Sequence, residues 1–281
     1  MYDKIERLHN SIIQHGKNND RIYLMKLARD GHPEVLNDIE KLARQNKYTK
    51  IFAKVPQWAR SEFQKRNYVK EAYIPHFYNG DVSVYFMSRF LDKDRAELSD
   101  EQQQLINKNI NIAKNKKSTR KPVKFNLPFE LRPLNERDIP QLISVYKHVF
   151  RSYPFPIFET DYLRKTMHEN IIYFGAFDGY KLVAASSAEM DMKTGNAEMT
   201  DFATLPNYRG NGLALHLLKK MEEEMRARSF KTVFTIARSY SAGMNVTFAK
   251  KNYVYGGTLI NNTNIAGDIE CMNVWYKQID E

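Results

Sequence analysis

Along the second half of the chain the spacing of apolar residues switches repeatedly between two and about 3.6, the sign of strands alternating with amphipathic helices. Phe129 to Pro133 reads as a short strand. Asn135 then caps a helix reaching Phe150, with Ile139, Leu142, Ile143, Tyr146 and Phe150 at three- and four-residue steps. A second helix from about Thr160 to His168 leads into strands Ile171 to Phe177 and Lys181 to Met190, joined at Asp178-Gly179. There follow an extended stretch Met199 to Leu205, a helix Leu213 to Arg228, a strand Thr232 to Ala237, a helix Ser241 to Lys251, and strands Tyr253 to Ile260 and Ile269 to Tyr276. The order predicts an α/β fold of α+β character, a mixed central sheet with helices on both faces.

The first half repeats part of this pattern. Phe63-Gln64-Lys65-Arg66-Asn67-Tyr68-Val69 returns 185 residues later as Phe248-Ala249-Lys250-Lys251-Asn252-Tyr253-Val254. Each copy follows an apolar strand, Lys50 to Val55 or Thr232 to Ala237, and each precedes paired strands. Such similarity points to duplication of a half-domain. The expected organisation is a degenerate half-unit over residues 1–91, a helical and basic linker over 92–127, and a complete unit over 128–281.

Between the stretch ending at Leu205 and the helix opening at Leu213 lies Arg209-Gly210-Asn211-Gly212-Leu213-Ala214. Two glycines allow a tight turn and close backbone approach. The unpaired N–H groups of the helix's first turn, backed by its dipole, then form a cradle for phosphate. A P-loop would need G-x-x-x-x-G-K-[ST], and a dinucleotide site G-x-G-x-x-G. Neither is present. The alternative is a turn that only joins strand to helix. The earlier strand, Arg21 to Ala28, leads into Asp30-Gly31-His32-Pro33-Glu34 without such a turn, so the first half should not hold the same ligand.

Of 281 residues, 42% are hydrophobic and 12% aromatic, which describes a globular chain. No apolar run approaches a membrane span, and the N-terminus lacks a signal-peptide core, so a cytoplasmic protein without a membrane partner is expected. The single cysteine, Cys271, excludes an internal disulfide and should pack as a small apolar residue. The net charge of +10 would ordinarily raise nucleic acid as a partner. Much of the excess, however, lies in Lys114, Lys116, Lys117, Arg120, Lys121 and Lys124, in a polar stretch that reads as a solvated linker. No nucleic acid and no metal are expected.

The run R-x-x-G-x-A directly after Asp201-Phe202-Ala203-Thr204-Leu205-Pro206 resembles the acetyl-CoA site of GNAT-type N-acetyltransferases. That resemblance implies a GNAT fold with an N-terminal degenerate half-GNAT unit, and acetyl-CoA as co-substrate. The CoA pyrophosphate would lie on Arg209, Gly210, Asn211, Gly212, Leu213 and Ala214, with the pantetheine arm along Phe202, Ala203 and Thr204. Longer segments carry a closer resemblance, to the β-lysine N-acetyltransferase family. They are SYPFPIF at Ser152, AASSAEMD at Ala184, NAEMTDFATLP at Asn196, YGGTLINNTNI at Tyr255 and MNVWYK at Met272, with IQHGKNNDRIYLMKL at Ile13 and KIFAKVP at Lys50. The similarity covers essentially the whole chain. It implies acetylation of the ε-amine of β-lysine, the product of a 2,3-aminomutase, to give the compatible solute Nε-acetyl-β-lysine.

Acetyl transfer to an amine needs a base, because the amine is protonated at neutral pH. Glu198 stands eleven residues before Arg209, where several GNAT enzymes resemble one another in carrying a catalytic glutamate. It is the first candidate for the base; Asp201 is the second, or binds the substrate ammonium. Both could instead be solvated strand-end carboxylates. Strand alternation puts Glu198, Thr200, Phe202 and Thr204 on one face and Met199, Asp201 and Ala203 on the other. A backbone N–H near Thr204 is the candidate oxyanion donor. Many GNAT enzymes protonate the departing thiolate with a tyrosine where this chain has Phe248. Tyr240, Ser241, Asn245 or water could serve, and Asn245 could equally bind the pantetheine arm.

The acceptor wall is expected in the stiff, apolar loop from Arg151 to Glu159, with Tyr153, Phe155 and Phe158. Glu189, Asp191, Glu198 and Asp201 are acidic candidates for the acceptor's ammonium and Arg238 for its carboxylate; Asn261 to Asn264 is a polar site loop or a turn. Another small amine, a polyamine or a protein lysine would use the same cofactor site, and a non-enzymatic CoA-binding regulatory module remains an alternative. The internal repeat suits a monomer, with a homodimer as the other possibility.

Overall fold

The structure is a computed structural model describing residues 2–116 and 129–279. The basic residues 117–124 of the expected linker lie outside the described residues. The first half comprises β1 (Lys4–Leu8), β2 (Ser11–Gly16), β3 (Arg21–Lys26), α1 (His32–Gln45), β4 (Lys50–Pro56), α2 (Arg60–Lys65), β5 (Val69–Tyr78) and β6 (Val82–Phe90). Helix α3 (Asp100–Asn115) leads to the second half, which begins with β7 (Glu130–Pro133), α4 (Ile139–Val149), α5 (Thr160–Glu169), β8 (Ile171–Asp178) and β9 (Lys181–Asp191). It continues through β10 (Asn196–Thr204), α6 (Leu213–Ala227), β11 (Thr232–Arg238), α7 (Ala242–Lys250), β12 (Val254–Ile265) and β13 (Asp268–Gln278).

The thirteen strands of the described residues join one mixed sheet in the order β1-β2-β3-β4-β6-β5-β12-β13-β11-β10-β9-β8-β7. From β3 to β10 this order is palindromic about the β5/β12 seam. Parallel β3/β4 mirrors parallel β10/β11, and antiparallel β4/β6 mirrors β11/β13. The repeated heptapeptide has a structural meaning. In both copies an asparagine adopts φ near +60°, Asn67 at 62° and Asn252 at 64°, and turns the chain out of a helix into a strand. The following tyrosine N–H returns to the phenylalanine carbonyl at 3.1 Å in each copy, Tyr68 to Phe63 and Tyr253 to Phe248. The rings meet edge-on at 5.0 and 5.1 Å.

The halves share a core. Phe52, Phe77 and Phe86 pack with Phe234, Leu259 and Val274 across the seam. Separate cores lie under α1 (Ile22, Leu36, Ile39), under α6 and α7 (Met199, Leu217, Trp275), and under α4 and α5 (Leu142, Tyr146, Ala203). The seam is closed by a polar clip. Lys50 Nζ donates to Glu71 Oε2 at 2.9 Å and to the Ile260 carbonyl at 2.6 Å, and Glu71 Oε1 accepts from Ile260 N at 2.6 Å.

Several expectations change. The helical part of the linker is packed: Ile106 and Ile110 of α3 cover Cys271, and Asn109 donates to the Ser239 carbonyl at 3.0 Å. The asparagine-rich stretch 261–264 is neither turn nor loop, because β12 runs on through it to Ile265. A register shift between Leu259 and Thr263, with Asn261 at φ 42°, absorbs the irregularity that made the sequence look like a break.

At the seam Gly257 pairs with Ala72 at φ 145°, and a Cβ there would sit 2.2 Å from the Glu71 carbonyl oxygen. Gly257→Ala should therefore lower stability by about 2 kcal/mol or more in urea unfolding, as overpacking of a rigid backbone contact does. A midpoint unchanged from the parent would show that the seam can yield.

Candidate active site

Strands β10 and β11 pair only at Asn196, Ala197 and Glu198, against Thr232, Val233 and Phe234. Beyond Glu198 they separate, and β10 keeps only its β9 neighbour. The gap opens toward the glycine turn. Gly210 (φ 88°) and Gly212 (φ 70°) take the left-handed conformation their type permits, and the space beside Gly210 is open. Leu215 and His216 N–H groups return to the Gly212 carbonyl. Among the described residues, the amides from Gly210 to Ala214 have no backbone acceptor, and no side chain caps α6. This nest at a helix N-terminus fits a diphosphate. Asn211 serves the turn itself, donating to the Tyr208 carbonyl at 3.1 Å. Arg209 Nε reaches the Thr204 carbonyl at 3.3 Å.

The gap is one end of a cavity of about 750 Å³. Thr204, Phe202, Arg209, Gly210, Gly212, Leu213 and Ala214 line it, with Ala237, Ser241 and Phe248 on the facing side. Its other end is walled by Tyr153, Phe155 and Tyr162 of the second half, and by Arg21, Tyr23 and Lys54 of the first. Gln14 helps place the loop by donating to the Pro154 carbonyl at 3.2 Å, and Gly267 N donates to Ser152 Oγ at 3.0 Å. Phe158 packs into the core beneath α4 and does not line the cavity.

Three carboxylates meet where these ends join. Glu198 on β10 lies directly opposite Glu189 on β9. Burial raises the pKa of Glu198 to about 8, the Glu189 charge adds to the rise, and Lys54 and a hydrogen bond from Ile236 N–H oppose it. Glu189 is raised too, chiefly by burial. Burial works against the Lys54 ammonium, but Tyr23, Glu198, Tyr78 and Glu189 outweigh it and hold the pKa above the usual lysine value. Lys54 Nζ lies over the rings of Tyr23 and Phe234, at 5.9 and 5.8 Å.

Strict alternation, which separated Asp201 from Glu198, fails at one extra residue. Between Thr200 and Ala203 three steps on β10 oppose two on β9, with Asp201 at φ 56°. The bulge turns Ala203 into the α4 core while Met199 stays in the α6 core, so Asp201 joins Glu198 on the cavity side. Asp201 accepts from Ser187 Oγ at 2.5 Å and from the Tyr153 hydroxyl. Burial raises its pKa against those bonds. With both oxygens engaged, Asp201 anchors Tyr153.

Three other candidates lie outside the cavity, and a fourth, Arg238, lines it already paired. All four hydrogen-bonding positions of the Asn245 side chain are used internally: Nδ2 donates to the Arg238 and Ser241 carbonyls, and Oδ1 accepts from Asn273 and Trp275. It is a core residue with nothing left for pantetheine. Tyr240 packs against the α3 cluster and does not line the cavity. Asp191 pairs with Lys26 at 2.9 Å outside the cavity. Arg238 lines the cavity but grips Glu270 with two bonds, 2.9 and 2.5 Å, leaving little for a substrate carboxylate. Arg21, Tyr23 and Lys54 line the cavity although no motif in the sequence singles them out. The signal available was the alternation of Lys50, Phe52 and Lys54, which puts two lysines on one face of an otherwise apolar strand.

Among the described residues no helix is long and apolar enough to cross a membrane. The GNAT acetyltransferase family model matches residues 140–244. A β-lysine N(6)-acetyltransferase of Methanococcus maripaludis is 41% identical, over 98% of each chain. N-acetyltransferase YodP of Bacillus subtilis is 35% identical over 96% of each, and a β-lysine N(6)-acetyltransferase of Methanosarcina mazei is 31% identical over 88% of this chain and 97% of its own. Relatives alike along both halves define what this molecule is, and the glycine nest and splayed strand pair agree with them. The chain belongs to the β-lysine N-acetyltransferase family of the GNAT superfamily and is an acetyl-CoA-dependent N-acyltransferase.

Proposed function

We propose that the enzyme acetylates the ε-amine of β-lysine, giving Nε-acetyl-β-lysine. The observation that carries this reading is the acceptor end of the cavity, where the cross-strand pair Glu189/Glu198 faces Lys54 from the other half of the chain. A small zwitterion with a second ammonium matches such a mixture of charges, and the cavity is walled on several sides by aromatic residues. The names of two full-length relatives agree. The product carries no net charge at neutral pH, a property suited to a solute accumulated against osmotic stress.

Acetyl-CoA, when bound, supplies the activated thioester. The amides from Gly210 to Ala214 hold its diphosphate, and the unpaired edge of β10 from Thr200 to Thr204 is free to pair with its pantetheine arm as an added strand would. Glu198 takes the proton from the acceptor's ammonium. Its pKa near 8 lies between those of an ordinary carboxylate and an alkylammonium, which eases proton transfer without locking the glutamate as a permanent anion. Glu189, opposite Glu198 on the neighbouring strand, faces the acceptor's ammonium, Asp201 fixes Tyr153 as a wall, and the N–H groups near Thr204 offer the oxyanion donor. Phe248, edge-on to Phe202 at 5.6 Å, carries no proton, so the thiolate takes its proton from another hydroxyl of the cleft or from solvent.

Thiol release from acetyl-CoA, measured across β-lysine, lysine, polyamines and a lysine peptide, should be fastest with β-lysine. A clear preference for the peptide would remove the small-molecule reading. Because the base must be unprotonated, kcat/KM should rise with pH through about 8 and fall tenfold per unit below it. Glu198→Gln should lose roughly 10²–10⁴-fold at neutral pH and recover part of this in alkali, where more amine is already neutral. An unchanged rate would pass the role to another group. Lys54→Met removes a charge that favours the ionised glutamate, so the acid limb should move to higher pH, by up to about one unit. An unmoved limb would separate Lys54 from the base.

A further inference from the structure

Arg21 is a buried charge with no acid of its own among the described residues. It sits on β3 in the degenerate half, is 4% exposed, and lines the acceptor end of the cavity. The rings of Tyr23 and Phe52 flank its guanidinium at 5.3 and 5.5 Å. Among the described residues its only donating nitrogen is Nη1, which serves two uncharged acceptors, the Asn262 carbonyl and Thr263 Oγ1. Buried Nε has no partner. Burial lowers its pKa to about 10.

No carboxylate among the described residues bonds to it. Asp3 and Glu71 favour its charge from a distance. Asp3, however, accepts from the Asn18 and Asn19 amides at 3.0 and 3.2 Å, and Glu71 is held in the seam clip by Lys50 and Ile260. Neighbouring Lys50 shows the contrast, being equally buried but provided with its own acid at 2.9 Å. An arginine taken out of water without an anion is costly to the fold. The cost is offset if an anion arrives with the ligand, and a guanidinium fork suits a carboxylate.

The geometry points to Arg21 as the receptor for the acceptor's carboxylate, so that the half of the chain without a cofactor cradle selects amino acids over simple amines. Asn262 and Thr263 hold the guanidinium in place from β12, and the two aromatic rings fix its plane. Arg21 plays this part only if the cleft takes an amino-acid acceptor, as proposed above. The carboxylate end and the reacting amine of one molecule would then be gripped by opposite halves of the sheet.

The test compares β-lysine with its carboxamide, which keeps the shape and removes the charge, and runs lysine against lysinamide in parallel. The parent should favour the carboxylate form by at least tenfold in kcat/KM. Arg21→Met should erase most of that preference through a higher KM for the carboxylate form, leaving the KM for acetyl-CoA and the thermal midpoint near parental values. Equal losses on carboxylate and carboxamide would show a structural role only and overturn the inference. If Arg21→Met does not fold, Arg21→Lys gives the same reading: a KM increase confined to carboxylate acceptors supports it, and an equal increase on both overturns it. Failure of the parent on β-lysine with turnover of lysine would sink the named acceptor, while the lysine pair would still decide on Arg21.

Discussion

Two half-sheets can share an edge only where their backbones come within hydrogen-bonding reach, and here that approach depends on the absence of side chains at two consecutive positions. A Cβ on Gly256 would meet the Tyr73 carbonyl at 2.8 Å, and one on Gly257 would meet the Glu71 carbonyl at 2.2 Å. With both bare, β12 lies along β5 and the buried Lys50–Glu71 pair locks onto the Ile260 backbone. A buried ion pair is seldom a net source of stability, but it penalises every register that leaves its charges unmatched. Here it would fix how the two halves meet. The residues that the first half lends to the cavity lie on β3 and β4, and β4 also carries Lys50 of that pair.

Within the second half the decisive feature is the loss of pairing after Glu198. While β10 and β11 stay bonded there is no room for a ligand; once they part, one strand edge is free and the glycine turn lies at the mouth of the gap. The bulge at Asp201 belongs to the same irregularity. Its extra residue brings a third carboxylate to the cavity face, where Ser187 and Tyr153 bond it. Irregular backbone at a site usually costs stability, and the surrounding packing must hold it in place.

What could be read from the chain followed the range of the interaction. The turn from Arg209 to Ala214 was legible because its physics is local: glycine conformations and unpaired helix amides. The α/β order was legible from periodicity, and the repeat at Phe63 and Phe248 because the same helix-to-strand turn demands the same asparagine. Asn245 misled because polarity alone does not reveal that Asn273 and Trp275 consume its acceptor. Arg238 misled because its partner, Glu270, lies 32 residues on, across a strand pair. The face of Asp201 was misjudged because a one-residue bulge inverts alternation without changing composition. Arg21 and Lys54 stayed hidden since nothing local says that β3 and β4 will face a cavity built mainly by residues more than a hundred positions away.

The palindromic strand order has a consequence for how the cavity can vary. The glycine nest and the splayed strand pair belong to one half of the sheet, from β10 to α7, whereas the other half reaches the cavity through a few side chains on β3 and β4. Substitutions on those two strands would reshape one wall of the cavity while leaving the turn from Arg209 to Ala214 in place. Two walls of one cavity, carried on separate arms of a single sheet, are in this way open to independent adjustment.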